Sequence, residues 1–216
     1  MTNFTTDPGF WQAELLEMLL PAGTVAGDRP SFDAELLRQL SFLPGLKETL
    51  MVRQVHALEH ATVWVLTQMA NQGHALGEID SEALSGLSTE RGFFLYGNLA
   101  TVDVKRAVQL ALRRLTTGEA ELAVHPRCGT NLSVGLALTA GLALGATMIL
   151  PRDPIGQLLG VGMATVTAAY LTPELGAWAQ RYVTTALPFN LAIAQITAQW
   201  GDQGRSTHFV EVRWVD

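Results

Sequence analysis

The chain has 216 residues and a net charge of −6; charged residues make up only 16% of it and hydrophobic residues 48%. An ordinary soluble domain carries about 25% charged residues, so this composition is unusually poor in charge. The negative net charge and the lack of any run rich in Lys or Arg argue against a nucleic-acid partner. The single cysteine excludes an internal disulfide and leaves its thiol free for metal ligation or reaction.

Residues 1–45 are predicted to form a helical extension. Apolar residues recur at helical spacing over residues 10–20 and 32–40, and Ser31 is a plausible N-cap of the second helix. The first eight residues are polar and have no basic segment ahead of an apolar one, so no cleaved signal peptide is expected. We assign no chemical role to this part of the chain.

The next predicted helix, residues 46–69, carries the pattern H-x-x-E-H formed by His56, Glu59 and His60. Positions four apart lie on one helix face, so the two histidines can point at a common metal ion. The same spacing occurs in the inverzincin metalloproteases, where the glutamate is the general base. Taken alone, the pattern also fits two surface histidines beside a solvated carboxylate, because short motifs recur by chance.

Residues 46–128 are predicted to combine this metal-site helix with a small α+β portion. The glycine-bounded apolar run 92–97 and the segment 121–125 are predicted to be strands, and residues 102–115 an amphipathic helix. Residues 174–216 are predicted to form an amphipathic helix and a C-terminal strand over 209–215.

A second ligand-rich segment begins at His125 and runs H-P-R-C-G-T, with the lone Cys128 at its fourth position. Imidazole and thiolate are the donors that zinc prefers, so Cys128 could complete a zinc site with His56 and His60. His125 could be a fourth ligand, which would make the site structural, or a hydrogen-bond donor outside it. With three protein ligands and a water, the site would be catalytic, and Glu59 could deprotonate that water.

Cys128 has two further interpretations. It could be a nucleophile, with His125 or His60 as its base. The nearby positive charge of Arg127 would favour the thiolate form that such a nucleophile needs. Cys128 could also be a small buried apolar residue. After it, Thr130 or Asn131 is expected to be the N-cap of the next helix.

Residues 129–173 contain two runs, 132–150 and 155–171, that have no charged residue. Each is about as long as a helix that crosses the hydrocarbon core of a bilayer, and both contain a G-x-x-x-G spacing. We predict a transmembrane helical hairpin; a buried hairpin of a soluble protein is the alternative. Basic residues are more frequent beside the chain ends of the hairpin than at its turn, which places both termini in the cytoplasm.

Three segments carry a resemblance to known families: H-A-L-E-H-A at 56–61, G-L-S followed by G-F and Y-G over 86–97, and H-P-R-C-G-T-N at 125–131. Together they resemble an uncharacterised family found mainly in cyanobacteria. More remotely, the chain is similar to the YqhQ-like family of bacterial membrane proteins, which are described as candidate metal-dependent enzymes. The resemblance spans about residues 55–198 and includes 173–185. It departs from the YqhQ-like pattern at Ala61, where that pattern has lysine.

The resemblance implies a metal site and a membrane location. With the motifs, it predicts an α+β, mainly helical fold in which a transmembrane hairpin carries a small sheet-containing cytoplasmic portion. We expect zinc as cofactor, membrane lipid as a partner, a membrane protein or a second copy as a further partner, and the plasma or thylakoid membrane as location. Two functions stay open: a hydrolase acting at the membrane surface with Glu59 as general base, or a non-catalytic scaffold or assembly factor with structural zinc.

Overall fold

A computed structural model of the protein describes residues 32–73, 80, 82–151, 153–200 and 206–215, so the predicted helix over 10–20 and the Ser31 cap lie outside the described residues. The fold is α+β and mainly helical, as predicted. Its elements, in chain order, are α1 (Phe32–Gln39), α2 (Leu46–Asn71), β1 (Ser85–Thr89), β2 (Gly92–Tyr96), α3 (Thr101–Thr116), a 3-10 turn (Ala120–Ala123), α4 (Gly129–Ile149), α5 (Pro154–Ala179), a π-helical turn (Gln180–Thr184), β3 (Leu191–Trp200) and β4 (Ser206–Trp214).

The four strands form one antiparallel sheet in the order β1-β2-β4-β3. Strand side chains alternate between the two faces of a sheet, and here Phe93, Leu95, Val210 and Val212 share the face that is buried. They join the core formed by α2 and α3. Gly92 allows β2 to approach β4 closely, because a Cβ there would overlap the Val210 carbonyl.

Helix α2 is the central element of this portion. It contacts α3, β1 and β2, and its residues from 54 to 66 are almost all buried. Helix α3 packs against it through one apolar stripe, the amphipathic face predicted for 102–115. The buried Gln54 donates a hydrogen bond to Asp33 of α1 and accepts one from the backbone N–H of Asn190. These bonds attach α1 and the start of β3 to the middle of α2.

Helices α4 and α5 pack against each other as a hairpin, and both are long and apolar enough to cross a membrane, with 21 residues in one and 31 in the other when the π-helical turn is included. Gly160 packs against Ala146 and Leu150, and Gly176 packs against Asn131. In the described structure no residue of α4 is buried, and only four small residues of α5 are. The outer surface of the hairpin is therefore apolar and exposed, unlike that of a hairpin in a soluble core.

Two predictions about local structure between residues 121 and 179 are wrong. Residues 121–125 are not a strand: Ala120–Ala123 form a 3-10 turn, and the carbonyls of Ala123 and Val124 accept hydrogen bonds from side chains of α2. The helix predicted over 155–171 does not stop before Pro173 but continues to Ala179. Pro173 lies inside this helix and lacks the backbone N–H that would otherwise donate to the preceding turn, but it does not end the helix.

The region 174–216 also differs from its prediction. It contains the end of α5 rather than a separate amphipathic helix, and two strands rather than one. The C-terminal strand predicted over 209–215 corresponds to β4, whereas β3 was not predicted. Apolar and polar residues do not alternate regularly along β3. This agrees with the register shift between Ile193 and Gln195, which interrupts the pairing of β3 with β4.

Candidate metal centre

The two histidines of the H-x-x-E-H pattern lie on one face of α2, and each is oriented by a backbone carbonyl. Nδ1 of His60 lies 2.7 Å from the carbonyl oxygen of Ala123, and Nδ1 of His56 lies 3.0 Å from that of Thr184. A carbonyl only accepts hydrogen bonds, so both Nδ1 atoms carry a proton, and in the neutral form of each ring Nε2 has the lone pair that a metal would bind. Metal-binding histidines are held in the same way.

Cys128 faces these histidines from the residue that precedes α4. It is the N-cap of that helix, so the expectation that Thr130 or Asn131 fills this position is wrong. Its Sγ accepts a hydrogen bond from the backbone N–H of Thr130 at 3.4 Å and lies 3.3 Å from Nε2 of His56. A bond from the Cys128 N–H to the carbonyl of His125 closes the preceding turn.

The three donor atoms converge. One ligand atom each from His56, His60 and Cys128 lies within 4.8 Å of the other two, and the group is largely buried. Around a tetrahedral ion with bonds of ~2.0–2.3 Å, ligand atoms are about 3.5 Å apart, so only a small contraction is needed. Two imidazole nitrogens and a thiolate suit zinc and several other transition metals. The residues fit a metal ion, and their spacing in the sequence predicted it.

Electrostatics of the metal-free group favour a thiolate. Burial alone would raise the pKa of Cys128, but hydrogen bonds to the side chains of His56, His60 and Thr130, with the charge of His60, lower it to about 5. Burial likewise opposes protonation of His56, but Cys128, the Thr184 carbonyl and the charge of Glu59 raise the pKa of that imidazole overall. Without a metal, Cys128 and His56 therefore tend toward a thiolate–imidazolium pair.

His125 lies beside this group rather than in it. Its ring is 5.7 Å from the ring of His60 and 5.1 Å from that of Trp64, but the converging set of ligand atoms does not include it. Its Nδ1 accepts a hydrogen bond from the backbone N–H of Arg127 at 3.3 Å. Burial, followed by the positive charges of His60 and Arg127, lowers its pKa to about 4, so the ring is neutral at physiological pH.

Glu59 is buried between α2 and β1, with only 7% of its surface exposed. Its Oε2 accepts a hydrogen bond of 2.6 Å from the hydroxyl of Ser88. The rest of the carboxylate packs over Gly86, where a Cβ would overlap it. The carboxylate is thus held in one position close to the histidines, near enough for its charge to affect the pKa of His56.

Comparison with known proteins supports the expected relationship to an uncharacterised cyanobacterial family. Residues 51–196 match the family DUF6391, which is described as a domain of unknown function. The chain belongs to this family. It is also similar to an uncharacterised protein of Picosynechococcus sp. (strain PCC 7002), with 50% identity over 186 residues that cover 86% of this chain and 91% of that one. No solved structure matches the chain. The DUF6391 region contains most of α2, the hairpin and the three converging residues His56, His60 and Cys128.

Several residues of the DUF6391 region that shape the site were not predicted from the sequence. The buried side chain of Gln180 accepts a hydrogen bond from the backbone N–H of His125 at 2.8 Å and donates one to Asn131 at 2.8 Å. Ser88 had no assigned role, although it lies in the G-L-S segment that carries part of the resemblance. The sequence evidence that could have pointed to these residues is that they are polar side chains within segments that carry the family resemblance.

Proposed function

We propose that the protein is a zinc-dependent hydrolase that acts at a membrane surface, with Glu59 as the general base. The observation that carries this proposal is that three protein ligands converge among the residues that the structure describes. Catalytic zinc sites have three protein ligands and keep one position open, whereas structural sites are closed by four. A relationship to the YqhQ-like family, which we infer from the motifs alone, would point to the same class of protein.

The location follows from the hairpin. Cys128 directly precedes α4, so the ligand group lies at the end of the hairpin where both helices join the rest of the chain. If the hairpin spans a bilayer, this end lies at the membrane–water boundary. The distribution of basic residues favours the cytoplasmic side of the plasma or thylakoid membrane for it. Membrane lipid is then a partner of the apolar outer surface, which a second copy could also contact.

The chain supplies the remaining chemistry. Zinc, when bound, would act as a Lewis acid that lowers the pKa of water and polarises a carbonyl group. His56, His60 and Cys128 would hold it. Glu59 would take a proton from the attacking water and pass it to the leaving group. Ser88 orients that carboxylate, and the thiolate partly neutralises the ion. Bonds of the peptide, amide or ester class are the substrates that such a site would hydrolyse.

The test is a comparison of Glu59→Gln with Glu48→Gln, an exposed glutamate on the same helix. Both variants and the parent protein are purified in detergent, their metal content is determined by elemental analysis, and hydrolysis of ester and peptide panels is measured. Glu59→Gln should keep the metal and lose about 10²–10⁴-fold in rate, since it keeps its shape and loses the base. Glu48→Gln should match the parent. Full activity of Glu59→Gln would refute the assignment of the base.

A second candidate is a non-catalytic scaffold or assembly factor. The observation that favours it is the origin of the ligands: two are on α2 and the third precedes α4, so a bound metal would fasten the sheet-containing portion to the hairpin. In that case chelation should lower thermal stability, and no hydrolysis should occur in any panel. Loss of the metal from Glu59→Gln would also favour this candidate, because the glutamate would then be supporting the ligands.

A further inference from the structure

His125 is a polar residue of the site that the proposed chemistry leaves without a role. Its ring is packed between the ring of His60 and the edge of Trp64. Only 8% of its surface is exposed. Two backbone hydrogen bonds fix its position: its own N–H donates to Gln180, and its carbonyl accepts from Cys128. The ring is therefore placed as firmly as the ligands are.

The hydrogen bond to Nδ1 determines the tautomer of this ring. The backbone N–H of Arg127 is a donor, so Nδ1 of His125 must be the acceptor and cannot carry a proton. The proton of the neutral imidazole is then on Nε2, which makes that atom a hydrogen-bond donor and unsuited to bind a metal. The ligands His56 and His60 have the opposite tautomer, since their Nδ1 atoms face carbonyl oxygens.

The donor on Nε2 is available. Within the described part of the chain, no residue forms a hydrogen bond with Nε2 of His125. The ring centroid of His125 lies 5.7 Å from that of His60, one of the three converging residues, so His125 adjoins the candidate metal site. A hydrogen-bond donor held next to a metal site can stabilise negative charge that develops on an oxygen atom of a bound ligand.

We infer that His125 donates a hydrogen bond from Nε2 to an oxygen of a carboxylic acid derivative or carboxylate that occupies the open position of the metal. This inference rests on the proposed function, because it needs a metal with an open position. The proton stays on Nε2 throughout, and no covalent bond of His125 forms or breaks. His125 is thus a donor to the ligand and not the fourth metal ligand considered from the sequence.

The experiment uses the full-length protein loaded with cobalt(II), whose visible absorption reports its ligands, and acetate as the probe. Three proteins are compared: the parent, His125→Phe, which keeps a ring but has no donor, and His125→Gln, which has an N–H group. Acetate affinity is read from the change in the cobalt spectrum, and cobalt affinity from competition with a chelator. Cys128→Ser is the control for the loss of a true ligand.

We expect His125→Phe to bind cobalt within about threefold of the parent and acetate about tenfold more weakly, with the affinity for acetate partly restored in His125→Gln. Equal acetate affinity in the parent and His125→Phe would overturn the inference and leave the metal site intact. A loss of cobalt from His125→Phe as large as that from Cys128→Ser would overturn it too, since His125 would be a ligand. A parent that binds no cobalt, or whose cobalt spectrum ignores acetate, would overturn the proposed open site as well.

Discussion

The thiol of Cys128 should be a thiolate at neutral pH in the metal-free protein. Its pKa is about 5, against about 8.5 for an ordinary thiol, so about 99% is ionised at pH 7. The folded-state pKa is depressed, and the thiolate is therefore lost only as the pH falls through about 5. A thiol with the ordinary value would be about 3% ionised at pH 7 and would weaken metal binding about 30-fold.

The perturbation is His56→Ala. It removes the imidazole whose Nε2 lies 3.3 Å from Sγ, while the Thr130 N–H and His60 remain. The effect of burial, which raises the pKa of Cys128, is then offset by fewer hydrogen bonds. Loss of a charged hydrogen-bond partner at this distance is worth about one to three pH units, equal to about 1.4–4 kcal/mol of differential stabilisation of the thiolate. The control is Val52→Ala, on the same helix one turn earlier.

The assay is the ultraviolet absorbance of the thiolate as a function of pH, measured on chelator-treated protein in detergent, with alkylation rates as a second reading. The parent and Val52→Ala should titrate near pH 5, and His56→Ala about one to three pH units higher. A parent midpoint close to the ordinary value of about 8.5 would refute the reasoning. So would a midpoint that His56→Ala does not change, since His56 would then not stabilise the thiolate.

Two further predictions concern stability. Gln180→Leu leaves two groups without their partner, the backbone N–H of His125 and the side chain of Asn131. It should lower the free energy of unfolding by about 1–3 kcal/mol for each of them, as measured by thermal unfolding in detergent. An unchanged unfolding midpoint would contradict this. Gly160→Ala should be about 1 kcal/mol or more less stable than Gly145→Ala, because the new Cβ at 160 would lie 3.2 Å from the Cβ of Ala146, which cannot rotate away, whereas the Cβ at 145 points into open space. Equal effects of the two substitutions would show that the helices do not pack in this way.

Strong local patterns could be predicted from the sequence. The periodic helices over 46–69 and 102–115 correspond closely to α2 (Leu46–Asn71) and α3 (Thr101–Thr116). The two uncharged runs correspond to α4 and to most of α5. Short segments were harder, because a five-residue run such as 121–125 has too few positions to separate a strand from a turn. Its structure is set by hydrogen bonds to α2, which the local sequence does not show.

The candidate site, too, could be predicted only in part from the sequence. Helical periodicity and donor chemistry were enough to select His56, His60 and Cys128. The groups that orient them could not be predicted, because two are backbone carbonyls, of Ala123 and Thr184, and a carbonyl is present at every residue. The role of His125 was also undetermined by the sequence, since its tautomer depends on a backbone N–H two residues away.

These orienting groups show that the metal site and the hairpin form one structural unit. Cys128 caps the first helix of the hairpin, and the Thr184 carbonyl that orients His56 ends the π-helical turn that follows the second. Gln180, in the same turn, bonds to both segments around Cys128. A change in how α4 and α5 cross would thus move the thiol relative to the imidazole, which is only 3.3 Å away. A metal ion bound by these residues would therefore be sensitive to the arrangement of the hairpin, whether it served catalysis or assembly.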